Sequence, residues 1–122
     1  MRRKDLNTRE RDVITGTPVS VEFVEITDHT ELTGAQINAE ATALKSLAFG
    51  RVEDIDYRKG AAGREIYFNV TGQNNTGVNA DYSRTKYGRV YKLMLDDKNP
   101  LTGTLEVVLD GDDRSTSAKA SQ

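Results

Sequence analysis

Residues 64–70, Arg-Glu-Ile-Tyr-Phe-Asn-Val, alternate strictly, with Ile66, Phe68 and Val70 on one side and Glu65, Tyr67 and Asn69 on the other. A helix cannot satisfy a period of two, so this run commits its neighbourhood to a half-buried strand. Two further runs, 89–95 and 104–109, are rich in aromatic and β-branched residues and read as strands too. Between them, Asp96-Asp97-Lys98-Asn99-Pro100 and Thr102-Gly103 are turn chemistry. Strands joined in order by short links make an antiparallel meander. A fourth strand, 52–57, joins it through the turn at Gly60–Gly63. The predicted fold is mainly β, an antiparallel β-meander with one amphipathic helix.

That helix is signalled at its start. Thr33 and Gln36 make the T-x-x-Q capping box, with Leu32 and Ile37 placed as a hydrophobic staple. Ile37, Ala41, Leu44 and Ala48 then recur at helical spacing, and Gly50 is positioned to stop the run. The apolar stripe is narrow, which predicts a surface helix within 33–47. Ahead of it, 18–26 reads as a strand, with Val19, Val21 and Phe23 on one face and Val24 and Ile26 on the other.

Composition narrows the chemistry. With 122 residues the chain has one domain's worth of sequence, and 17 basic against 19 acidic residues leave a formal charge of −2. No global field recruits nucleic acid or anionic membrane, and no apolar run approaches the ~20 residues of a membrane span. The absence of Cys excludes disulfides, thiolate catalysis and thiolate-held zinc, and a single His (His29) makes a Ser-His-Asp triad hard to build. What remains is oxygen chemistry together with Arg and Lys. The opening MRRKDLNTRERD has no apolar core of a secretory signal. The expected organisation is a flexible segment at 1–16, a folded part at 17–110 and a disordered polar tail at 111–122.

Three constellations could carry chemistry. Glu53, Asp54 and Asp56 place three carboxylates within four residues, a hard-oxygen set that suits Ca²⁺, Mg²⁺ or Mn²⁺. The plainer reading is a solvated strand end paired with Arg51 or Arg58. Asp110-Gly111-Asp112-Asp113 is similar to part of a calcium loop, but lacks the remaining ligands and reads more simply as an acidic tail. The connection 72–88 has no regular pattern and is long for a compact domain, which marks it as the place to look for a site. It carries Asn74, Asn75, Asn79, Asp81, Ser83, Arg84 and Lys86, groups able to bind a phosphate or sugar or simply to build a solvated loop. His29 reads as a turn residue. The tyrosines, with sparse basic interleaving, read as strand and loop filling.

The order of these pieces resembles one family. "FGRVEDIDY" (49–57), "GREIYFNVTGQ" (63–73) and "YGRVYKLMLDDKNPLTGTLEVVLDG" (87–111) look like PhoX-type alkaline phosphatases of the DUF839 group, secreted bacterial β-propellers. The resemblance covers about half the chain. It implies a calcium-dependent metallophosphatase acting on phosphomonoesters, with calcium and iron held mostly by carboxylates and an extracellular or periplasmic location. The Arg-x-Glu-Asp segment falls on Arg51–Asp54, which makes Glu53 and Asp54 the implied metal ligands. Val52 stands where the family has Pro, and the family's metal-site Cys has no counterpart. A propeller blade takes about 40–50 residues and a propeller at least four blades. The chain therefore reads as propeller-blade type, a partial domain that needs the remainder of a propeller from the same or another chain.

The function expected on this basis is one part of a PhoX-like phosphatase, inactive by itself, with Glu53 and Asp54 as metal ligands. Arg84 and Lys86 would meet the phosphate. The alternative is a non-catalytic extracellular β-propeller-like interaction or structural module.

Overall fold

The computed structural model describes residues 1–60 and 64–112. In chain order these form β1 (Arg2–Arg3), β2 (Val19–Glu22), α1 (Gly34–Ala43), β3 (Val52–Tyr57), β4 (Glu65–Val70), β5 (Arg89–Leu95) and β6 (Thr102–Asp110), with 3₁₀ turns at Glu10–Asp12 and Gly77–Asn79. The strands make one antiparallel sheet in the order β1-β2-β6-β5-β4-β3. Strands β3 to β6 are the expected meander. β2 and β1 extend it on the β6 side, and the sheet does not close into a barrel.

Period-two patterning decides which face is covered. Ile66 lies opposite Leu93, and Phe68 opposite Tyr91. Tyr91 lies opposite Val107, and Leu93 opposite Leu105. These residues, with Val21 and Val70, sit on one face, and Val13 and Leu47 pack onto it from outside the sheet. Phe49 closes the cluster, edge-on to Phe68 at 5.4 Å and to Tyr91 at 5.2 Å, while Phe68 and Tyr91 stack at 5.1 Å. Each fully buried side chain of this size contributes about 1.5–3 kcal/mol. The opposite face is mixed: the Tyr67 hydroxyl donates to Glu65 Oε1 at 2.6 Å and Lys92 lies 3.6 Å from Glu65 and 3.9 Å from Glu106, while Met94 and Leu109 stay exposed beside them.

The cover comes from a segment that the sequence reading leaves loose. Residues 1–16, expected to be flexible, hold β1 against β2 and place Glu10 and Val13 fully inside. Val13 has no periodic neighbours to mark it as core, since it is recruited by a sheet that forms elsewhere. The first long strand is also shorter than 18–26. It ends at Glu22, after which the Phe23 N–H donates to Leu101 O at 2.7 Å and Phe23 and Val24 are exposed. Of the predicted tail, Gly111 and Asp112 are hydrogen-bonded parts of the fold, and residues 113–122 lie outside the described residues.

Helix α1 begins as predicted. The Gln36 N–H donates to Thr33 Oγ1 at 3.2 Å, and the Gln36 side chain accepts from the Thr33 N–H at 2.8 Å. It stops earlier than Gly50. Lys45 takes φ +63°, its N–H donates to Thr42 O, and the Ser46 N–H donates to Ala41 O. This is a Schellman end with lysine in the left-handed position that glycine usually fills. The helix buries no residue completely, and no strand Cα lies within 8 Å of it among the described residues. Gly50 instead permits a close approach of segments, since a Cβ there would lie 3.0 Å from Thr85 O and 3.3 Å from Glu10 Oε1.

Candidate functional site

The 72–88 connection is an ordered structure built around one buried amide. Asn79 Nδ2 donates to Gln73 O (3.0 Å), Asn75 Oδ1 (3.0 Å) and Arg84 O (3.2 Å), and its Oδ1 accepts from the Arg84 N–H at 2.8 Å. Its two N–H groups serve three acceptors, one bond being shared, and with the bond to Oδ1 the side chain acts as the loop's staple. Asp112 Oδ1 accepts from the Tyr87 N–H at 2.7 Å, and its carboxylate lies 3.1 Å from Arg11. The acidic Asp110-Gly111-Asp112 run thus serves as internal fastening, and Asp113 lies outside the described residues.

This frame leaves a polar groove of about 540 Å³ at one end of the sheet, lined by Arg51, Lys86, Thr71, Gln73, Asn74 and Thr76 among others. Its floor depends on Gly72, at φ +94°, where a Cβ would collide with the Lys86 carbonyl. Main-chain bonds align its rim, Gly72 N–H to Gly50 O at 2.9 Å and Thr71 N–H to Arg51 O at 3.0 Å. Arg51 itself is held at φ +66°, a left-handed conformation that a non-glycine residue adopts only under constraint from its surroundings. Its guanidinium lies 3.7 Å from Glu53 Oε1, a long and exposed pair. Lys86 makes no ion pair among the described residues, and its ammonium sits 5.2 Å from the centroid of the Tyr87 ring. The groove therefore presents two cations, hydroxyls and amides, a donor set suited to an oxyanion.

The predicted site residues separate. Lys86 lines the groove, but Arg84 does not: its Nη1 donates to Gln73 Oε1 at 3.0 Å, and its carbonyl is held by Asn79 and by Arg11 Nε at 3.1 Å. Arg84 Nε is buried without a partner among the described residues. Glu53 borders the groove through Arg51 and the Thr71 hydroxyl, which donates to it at 3.5 Å. Asp54 lies elsewhere. Val52 stands opposite Val70 while Ile55 stands opposite Phe68, so β3 carries one extra residue between them. Strand alternation by itself sends successive side chains to opposite faces, and the bulge adds a local kink to the edge. The Asp54 N–H donates to Asn69 Oδ1 at 2.9 Å, and Asp54 lines with Asp56 a shallow depression of about 360 Å³ edged by Tyr67 and Val90. Among the described residues no three His, Cys, Asp or Glu side chains are grouped to hold a metal ion. Glu53 and Asp54 do not by themselves fit the calcium or iron centre that the resemblance implies. His29 is exposed in a turn.

Sequence reasoning missed a buried polar cluster next to the groove. Glu10 Oε1 accepts from the Gly50 N–H at 2.8 Å and the Thr85 N–H at 2.9 Å, and Glu10 Oε2 accepts from the Tyr91 hydroxyl at 2.7 Å. Arg89 Nη1 donates to Glu10 O and Val13 O, both at 2.8 Å, and Arg89 Nη2 lies 3.3 Å from Asp110. Burial, reinforced by the Glu10 charge, pushes the Tyr91 phenol far above its ordinary range. The cluster welds the N-terminal segment to the root of the loop. In the sequence Glu10 is one charge in a charged run, and nothing there distinguishes it. No family model, curated protein or solved structure matches the chain.

Proposed function

We propose that this chain is a phosphoester-binding part of a PhoX-like β protein working in an extracellular or periplasmic setting, and that the Arg51–Lys86 groove receives the phosphoryl oxyanion of a phosphomonoester. One observation carries the reading: both cations line the same open polar groove, and neither is engaged in a short ion pair. The Thr71 and Thr76 hydroxyls and the Asn74 and Gln73 amides add donors around them. Bidentate recognition falls to Arg51, whose planar fork matches two phosphoryl oxygens, while Lys86 acts as a point charge. Glu53, close to Arg51, disfavours ligands approaching from its side and favours release. Glu53 and Asp54 would become metal ligands only beside further carboxylates from the rest of a propeller, so for this chain the reading is binding and not turnover.

The test is a titration of the isotope-labelled chain with phenyl phosphate. Amide shifts are expected at 51, 71–78 and 86 with a dissociation constant on the order of 10⁻³ M, as exposed charge-assisted contacts imply. Arg51→Ala and Lys86→Ala should each weaken binding about fivefold or more, and Lys92→Ala on the other side of the sheet should not. Absence of shifts in 71–78, or unchanged binding in the double variant, refutes the groove. Hydrolysis of phenyl phosphate with Ca²⁺ and iron should stay at background. Turnover that disappears in Glu53→Ala would refute the binding-only reading. The second reading, a non-catalytic propeller-like interaction or structural module, draws on a different feature, the unpaired outer edge of β3.

A further inference from the structure

Strand β3 closes one side of the sheet, and all six of its residues are exposed. Its apolar residues are unusual for such a place: Val52, Ile55 and Tyr57 are 53%, 71% and 58% exposed, and they stand opposite the core-side residues Val70, Phe68 and Ile66. The core face of the sheet therefore continues past its last buried strand with no cover among the described residues. An edge with free backbone groups and apolar side chains is a template for pairing. The opposite edge, β1, is two residues long and offers little.

The register sets the direction of the side chains: Ile55 and Tyr57 stand opposite Phe68 and Ile66 on the core side, and Asp56 opposite Tyr67 on the other. Two adjoining depressions that share Ile55 and Asp56 border the edge. Ile55, Asp56, Tyr57 and Ile66 line an open apolar hollow of about 470 Å³. Asp54 and Asp56 border the second hollow, of about 360 Å³, which Ile55, Phe68, Tyr67 and Val90 also line. Neither aspartate makes an ion pair among the described residues; Asp56 Oδ1 accepts only from the Tyr57 N–H at 2.8 Å. Successive side chains of an extended segment alternate between faces, so a segment laid along β3 sends every second residue beside Ile55 and Tyr57 and the others to the side of Asp56.

We propose that β3 takes up, by strand addition, an extended segment of a partner polypeptide in which apolar and basic side chains alternate. Charge complementarity selects this occupant. A second copy of the chain paired through β3 would set Glu53, Asp54 and Asp56 against their own counterparts, and like charges facing across strands are destabilising. The bulge at 53–54 breaks the regular ladder there, which leaves Ile55–Tyr57 to set the register. The proposal is independent of the oxyanion groove, because Asp54, Asp56, Ile55 and Tyr57 are not on the groove lining.

The experiment uses the full isotope-labelled chain and two capped hexapeptides, one alternating valine with lysine and one alternating valine with glutamate. The lysine peptide should slow amide exchange at 55–57 and shift the 52–57 and 66–69 amides, with at least tenfold tighter binding than the glutamate peptide. The Asp54→Asn, Asp56→Asn double variant should lose about fivefold in affinity for the lysine peptide, and Ile55→Ser about as much. Both variants change exposed side chains, and an unchanged melting temperature checks that the fold is kept. Equal binding of the two peptides overturns the proposal, as does absence of protection at 55–57. Shifts at 52–57 that grow with protein concentration without peptide would assign the edge to a second copy and overturn it as well.

Discussion

A single carboxylate does more to join this molecule than any ion pair on its surface. Glu10 is completely buried and accepts from two main-chain amides, of Gly50 and Thr85, and from the Tyr91 hydroxyl. Removing it leaves two buried N–H groups without acceptors and Tyr91 without its partner. We expect Glu10→Ala to lose about 3–5 kcal/mol in chemical denaturation. Glu10→Gln, which keeps an oxygen for both amides, should lose about 1–2 kcal/mol. A second residue-scale consequence concerns pH. The Tyr67 hydroxyl, against the opposing effect of burial, and then the Arg58 and Lys92 charges hold the Glu65 carboxyl below the usual carboxylate range. A lowered pKa means that the unfolded chain binds the proton more readily, so this stabilisation is complete at neutral pH. It is lost as the pH falls through and below the ordinary carboxylate range. Thermal melts should show a steeper acid limb in the parent chain than in Glu65→Gln. Parallel limbs would mean that Glu65 does not contribute.

At the scale of elements, the helix and the edge strand show opposite relations between sequence and structure. The capping box is legible because it is local: Thr33 and Gln36 satisfy each other's main-chain groups whatever the rest of the chain does. Thr33→Ala should cost about 0.5–2 kcal/mol of helix stability. The helix end is not legible, because Gly50 has the residue type of a stop, whereas the chain turns at Lys45 in a left-handed conformation. Lys45→Gly should relieve that conformation and stabilise the helix by about 0.5–1 kcal/mol. Helix content measured by circular dichroism against temperature separates the two: a loss for Thr33→Ala and a gain for Lys45→Gly. Strand β3 is evident from its residue types, and alternation alone sets Glu53 and Asp54 on opposite faces, but the bulge between Val52 and Ile55 is not evident. One extra residue in a ladder leaves no trace in local alternation when neighbouring side chains are carboxylates on an exposed edge.

For the molecule as a whole, the question is what covers the sheet. The core face of β2, β4, β5 and β6 is closed by Val13, Leu47 and Phe49, none of which belongs to a strand, and α1 stays apart from it. A chain lacking residues 1–13 would lose Val13, the β1 pairing and the Glu10 cluster together. We expect it to show no cooperative unfolding transition and to bind a hydrophobic dye. A sharp transition in the 1–13 truncation would show that the sheet covers itself. The sequence alone determined the meander, its order and its apolar face, because strand periodicity and turn chemistry are local properties that Ile66, Phe68 and Val70 or Asn99-Pro100 display in a few residues. It also located the helix start and marked the 72–88 loop as unusual. Only the tertiary structure decided which residues meet. It brought Arg51 to Lys86 and released Arg84 to Gln73. It also drew Glu10 from a charged run into the interior. The physical reason is the range of the interactions. Alternation and capping are settled within a few residues, whereas a buried carboxylate finds its donors 40, 75 and 81 positions away, on segments that only the folded sheet brings together.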